Sequence, residues 1–321
     1  MIQINHPKIK DFVDEHNYAV KEYYERKATS GFPKSDLDCI NNWLNDVTGK
    51  DFEYIIKASP KQLEELLRNY TAQQKIPNCV KKITKLYSGF ANSTKKFKDK
   101  KDKTNKKDKN ENDYNAVKLV EKLGITVCPY CNREYIFKFE DTKKQKERVL
   151  ATFDHFYNKA TYPFLALSFY NLIPSCSTCN SKFKTTKNFY KEKHLHPYED
   201  DFNSRAKFYL KIVKPNFYHS TKGIKIELKE NDNTDTETIN TISTFRLKEI
   251  YEKHSDIALE LIKKQYMYSD DYLETLYKQY EGTLFKNLEQ LKGIIFGNYI
   301  SDEIHKRPLA KFTKDIIKDL E

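Results

Sequence analysis

The chain lacks several features that would assign it to a class at once. No apolar run approaches the length of a membrane span, which predicts no membrane partner. The first residues, Met1-Ile-Gln-Ile-Asn-His-Pro7, carry neither a basic stretch nor an apolar core, so no secretory signal is expected. There is no Gly-x-x-x-x-Gly-Lys loop, so the chain should not bind nucleotide in that mode; any role of ATP would enter through a partner. No internal repeat is found. Together these absences predict a cytoplasmic, reducing setting in which thiolates stay free for metal.

What is present is basic and aromatic. At 321 residues the chain can bury a sizeable core and hold two or three folding units. A net charge of +11 favours a polyanionic partner or a membrane surface and says nothing of fold. That signal is discounted, because abundant Lys, Asn, Tyr and Ile with only 8 Gly also fit a low-GC coding habit. Of the 6 cysteines, Cys39 and Cys79 fall in helical patterns and read as ordinary buried thiols. The other four form two Cys-x-x-Cys pairs, Cys128/Cys131 and Cys176/Cys179.

Paired Cys-x-x-Cys predicts a four-thiolate zinc site, closed and structural, that ties together the ends of a long insert. The bland alternative is a disulfide pair or scattered core thiols. Inside or beside the clamp lie Asp154-His155, Asn171 and Asn180. Asp154 and Asn180 offer hard oxygens suited to Mg²⁺ or Mn²⁺. His155, next to Asp154, is placed to act as general base on a water attacking a phosphodiester. The bland alternative here is a satisfied pair in an inactive zinc module. The apolar run Phe164 to Tyr170 reads as core rather than as a wedge between bases.

Asp154-His155, then Asn171, then Asn180 nine residues later, resembles the HNH endonucleases, with their ββα-metal fold and zinc-knuckle support. The resemblance implies Asp154 as a metal ligand, His155 as the base, Asn171 as the residue that bonds backbone and holds the loop, and Asn180 as second metal ligand. Many relatives carry His in the third position, and His194 and His196 compete for that role. The segments Cys128-Pro-Tyr-Cys131-Asn-Arg133, Phe153-Asp-His-Phe-Tyr157 and Tyr162 to Cys176 are similar to the HNH subunit of Septu-type and retron-associated anti-phage systems. That similarity covers roughly residues 125–200. It implies nucleic acid as substrate, DNA before RNA, and an ABC/SMC-type ATPase partner. Lys182, Lys184 and Lys187 are then candidates for nucleic-acid phosphates, against the plainer reading of solvated lysines.

The expected fold class is α+β and mainly helical: a central ββα-metal core with its four-cysteine zinc site, flanked by helical units at either end. Residues 1–94 read as a helical domain. Its helices are expected over 8–27 with His16 on the apolar stripe, from Ser35 or Asp36 to Val47, from a Ser59-Pro-Lys-Gln62 start to about Tyr70, and over Val80 to Tyr87. Residues 95–113, nearly free of apolar side chains, read as a disordered Lys-rich linker or a basic arm. Residues 114–200 hold the nuclease core, with a helix over Tyr114 to Leu123. Strands at Glu134–Glu140 and Val149–Phe153 follow, and a helix is expected from Asn180. Residues 201–321 read as a hairpin, Phe208–Val213 with Ile224–Leu228, then a polar loop from Asn231 to Thr238. Helices are expected over Phe245–Tyr266, from Ser269 to Leu291, and from Arg307 to Leu320.

Overall fold

The computed structural model describes residues 1–29, 35–70, 75–93, 97–98, 113–143, 146–297 and 303–320. Most of the expected linker 95–113 lies outside these. Its edges do not: β1 (Phe97–Lys98) pairs antiparallel with β2 (Asp113–Tyr114). The first helices are α1 (Ile9–Thr29), α2 (Ser35–Thr48), α3 (Phe52–Lys57), α4 (Pro60–Asn69) and α5 (Asn78–Ala91). The start of α4 follows from four residues. Ser59 accepts from the Gln62 N–H, Gln62 reaches back to the Ser59 N–H, and Pro60 stands where no donor is needed. The short α3 was not expected; Asp51 caps it and it buries Phe52, Ile55 and Ile56.

One sequence expectation fails here for reasons of packing. Cys39 and Cys79 are not free thiols but are bonded to each other, joining α2 to the start of α5. Helical periodicity puts each cysteine on an inward face; only the packing of the two helices, with Cα atoms 6.4 Å apart, reveals that the faces meet. His16 is fully buried on α1, as its stripe predicts, but its partners are remote. Nε2 donates to the Leu167 carbonyl at 2.8 Å, and Nδ1 accepts from the Tyr114 hydroxyl at 3.1 Å. Burial holds its pKa down to about 4.

After β2 comes α6 (Ala116–Leu123), capped by Asn115 and ended by Gly124 at φ +65°, the left-handed region that glycine enters freely. The expected strand pair is re-partnered. β3 (Lys138–Asp141) pairs with β4 (Lys146–Val149), the chain breaks at exposed Leu150, and β5 (Thr152–His155) pairs with β6 (Leu172–Ser175). The consecutive apolar residues Val149, Leu150 and Ala151 run through the break and hide it. The run from Phe164 to Phe169 is core, with Phe164, Leu165, Ala166, Leu167 and Phe169 all fully buried.

The remaining chain forms β7 (Ala206–Ile212) paired antiparallel with β8 (Ile224–Glu230), then α7 (Thr236–Thr244), α8 (Leu247–Glu252), α9 (Ser255–Met267), α10 (Asp270–Tyr280), α11 (Leu288–Ile295) and α12 (Ala310–Leu320). The polar loop ends early, because Asp235 caps α7 inside it. Each long helix expected here is two. The first breaks around Lys253, so that Tyr251 donates to the Cys131 carbonyl at 2.6 Å and Arg133 to His254 Nε2 at 2.9 Å. The second breaks where Gly282 takes φ +73°. The described residues thus form a mixed helical and sheet protein with four two-stranded antiparallel sheets. Residues from 1–94, 114–200 and 201–321 share one hydrophobic cluster.

Candidate functional site

Four sulfurs meet in the middle of this core. The Sγ atoms of Cys128, Cys131, Cys176 and Cys179 all lie within 4.8 Å of one another, and all four residues are buried. Cys131 and Cys176 are 3.9 Å apart. A Zn–S bond of about 2.3 Å gives tetrahedral edges of about 3.8 Å, so the cluster has the size of a zinc thiolate site. Its electrostatics suit a cation. Burial, then the neighbouring sulfurs, push Cys128 well above the usual thiol range; the neighbouring sulfurs push Cys179 up as well. Hydrogen bonds from the other three hold Cys131 well below it. Only a metal lets all four ionise together. The donor set fits Zn²⁺, and burial leaves no side open to substrate.

The cluster sets the backbone on both sides. In the first pair, Asn132 turns at φ +50° and its N–H bonds the Cys128 carbonyl at 2.8 Å. In the second, the Asn180 N–H bonds the Cys176 carbonyl at 3.0 Å and opens a π-helix, Thr178–Lys184. That element replaces the expected α-helix. Its wider turn decides where residues 180 and 184 point.

Asp154 and His155 end β5 and are 3% and 5% exposed, so both sit under the surface rather than on it. Pro174 lies opposite Phe153 and has no N–H to offer. The Phe153 carbonyl accepts instead from the Tyr87 hydroxyl at 3.2 Å and the Asn180 amide at 3.4 Å. His155 Nε2 donates to the Ala166 carbonyl at 3.0 Å, and the Tyr87 ring stands edge-on to the imidazole at 4.3 Å. Burial first, then the charge of Lys159, holds the His155 pKa down to about 3. The ring is therefore neutral at pH 7 with its proton on Nε2, which leaves Nδ1 as a bare acceptor. Asn171 is fully buried and bonds backbone only: Oδ1 takes the Tyr157 N–H at 2.7 Å, and Nδ2 gives to the carbonyls of Tyr157 at 3.1 Å and Leu165 at 2.9 Å. It staples both ends of the loop that follows His155.

The hard-oxygen set departs from expectation. Asp154 Oδ2 accepts from the Tyr130 hydroxyl at 2.7 Å, and Oδ1 from Lys184 Nζ at 2.8 Å. Lys184 also donates to the His155 carbonyl and is buried, so its reading as a phosphate-binding surface lysine is corrected. The π-helix turns it inward onto the carboxylate. Asn180 gives its amide N–H to Thr152 Oγ1 at 3.1 Å and makes no hydrogen bond to Asp154. With both Asp154 oxygens taken and Asn180 turned away, the pair does not fit a divalent cation. Lys187 bonds Thr244 Oγ1 at 3.0 Å, and Lys182 is exposed. The two competing histidines face elsewhere: His194 stacks on Phe189 and bonds Thr244, and His196 packs on Phe156.

Three participants were missed from sequence: Tyr130, Tyr87 and Lys159. Tyr130 had a signal, since it stands inside the first Cys-x-x-Cys pair. Burial and Asp154 push its pKa well up, so it stays a donor. Lys159 lies over the Tyr87 ring, 4.3 Å from its centroid, and is only half-buried. No protein-family model, curated protein or solved structure matches the chain.

Proposed function

We propose that the chain is an HNH-type endonuclease, a hydrolase of nucleic-acid phosphodiesters acting on DNA before RNA. The observation that carries this reading is a neutral His155 at the end of β5. It is oriented by the Ala166 carbonyl, its loop is closed by Asn171, and a cysteine cluster fit for zinc lies behind it. In this reaction a water oxygen attacks phosphorus, the bond from phosphorus to the leaving sugar oxygen breaks, the water proton passes to His155 Nδ1, and the leaving oxygen takes a proton from solvent. The zinc is structural. A pKa of about 3 makes His155 always accepting but weakly basic. An anionic phosphate beside it raises that value and strengthens the base. The Septu-like role in anti-phage defence and its ATPase partner rest on sequence resemblance. The surface to test for that partner carries exposed Tyr266, Met267, Leu284 and Ile294 on and around α9–α11.

The test is cleavage of plasmid DNA and, separately, of total RNA by zinc-loaded protein, with His155→Ala beside the wild type. DNA cleavage reduced by about 10²–10⁴-fold in the variant is the expected result. Cleavage of RNA alone reassigns the substrate, and cleavage unchanged in the variant removes His155 from the chemistry.

A further inference from the structure

This inference rests on the nuclease reading and concerns where its positive charge comes from. Developing charge at phosphorus needs cationic groups beside it. The sequence points to a divalent ion between Asp154 and Asn180, yet the geometry fills that place with protein. Lys184 Nζ sits 2.8 Å from Asp154 Oδ1, donates to the His155 carbonyl, and lies 4.7 Å from the centroid of the Phe189 ring. The Tyr130 hydroxyl closes the other carboxylate oxygen. The Lys184 and Asp154 side chains are 2% and 3% exposed, which leaves no room for an ion that keeps several waters. Asn180, the second expected ligand, is turned onto Thr152 and Phe153.

Lys184 satisfies the carboxylate but is too deep to meet a substrate. Lys159 is not. It lies in the loop after His155, half-buried over the Tyr87 ring that stands edge-on to the imidazole, and its charge acts on both Asp154 and His155. We propose that this centre works without a divalent cation: Lys184 fills the place at Asp154 where one would bind, and Lys159 brings the positive charge to the scissile phosphate. Neither lysine passes a proton in this step. Their role is electrostatic.

The experiment is a Mn²⁺ titration of the zinc-loaded full chain followed by electron paramagnetic resonance, on wild type, Asp154→Asn and Lys184→Met. Cleavage is assayed in parallel with and without added Mg²⁺ or Mn²⁺, and Lys159→Ala is included. Wild type and Asp154→Asn should leave the same free-Mn²⁺ signal, added metal should not stimulate cleavage, and Lys159→Ala should lose cleavage by about tenfold or more. Lys184→Met should gain a Mn²⁺ site. One Mn²⁺ bound by wild type and lost in Asp154→Asn overturns the proposal, and so does cleavage that begins only when metal is added. If Lys184→Met does not fold, the comparison of wild type with Asp154→Asn decides by itself. The titration needs no turnover. An inactive protein would therefore sink the nuclease reading while the lysine assignment is still judged on metal binding.

Discussion

Two buried centres share Tyr130. On one side its neighbours Cys128 and Cys131 join Cys176 and Cys179 in a cluster of like donors. On the other its hydroxyl holds Asp154, whose charge Lys184 already cancels. The first centre gathers four like donors, which cannot all ionise in a dry core unless a metal is bound. The second is balanced within the protein, an anion and a cation meeting with hydrogen bonds on every oxygen. The difference shows why ligand type alone does not identify a metal site. What matters is whether the chain leaves the charge open or closes it.

The largest expected effect comes from opening the first centre. Structural zinc contributes on the order of 10 kcal/mol of folding free energy where the fold depends on it. Chelation or Cys176→Ser should abolish cooperative thermal unfolding, and elemental analysis of untreated protein should return one zinc per chain. The second centre breaks differently. Asp154→Ala leaves Lys184 buried without its counter-ion, at a cost of about 3–5 kcal/mol in denaturant unfolding. The double variant Asp154→Leu with Lys184→Met should lie closer to wild type than Asp154→Ala does. If it is worse, the ion pair is not the self-contained unit described here.

A smaller effect separates both centres from ordinary buried polar groups. His16 is neutral in the folded state, with its pKa lowered from 6.5 to about 4. Its contribution is therefore complete above pH 6.5 and is lost as pH falls through about 4. One such group gives a slope of at most about 1.4 kcal/mol per pH unit in that window. His16→Gln should flatten the acid limb by that share, read from unfolding midpoints between the two values. The smallest effect is a control remote from both centres: Ser59→Ala removes one cap of α4 and should cost about 1 kcal/mol.

What was legible in the sequence was local. The box from Ser59 to Gln62, the stop at Gly124 and the four cysteines each involve neighbours within a turn or a fixed short spacing. Asn171 was legible through resemblance, and its hydrogen bonds to Tyr157 and Leu165 stay within its own loop. The remainder depended on partners far along the chain. Nothing around His16 announces Leu167, and nothing around Cys39 announces Cys79. Lys184 was misplaced because a stretch of lysines near a helix end reads as solvated. Only the wider turn of the π-helix aims this one at Asp154. The break near Lys253 was invisible because the apolar stripe continues through it, while Tyr251 and His254 answer to the first knuckle instead.

The first knuckle is also held from the other end. Asn132 donates its side-chain amide to the Ile304 carbonyl at 3.0 Å, and its Oδ1 accepts from the Lys311 N–H at 3.0 Å. Its own carbonyl takes the Leu309 N–H at 2.6 Å. A chain emerging from the ribosome therefore presents Cys128 and Cys131 long before the segment that locks their turn has been made. The turn between the first two sulfurs is therefore completed only when α12 has docked, so the end of the chain finishes what its middle begins.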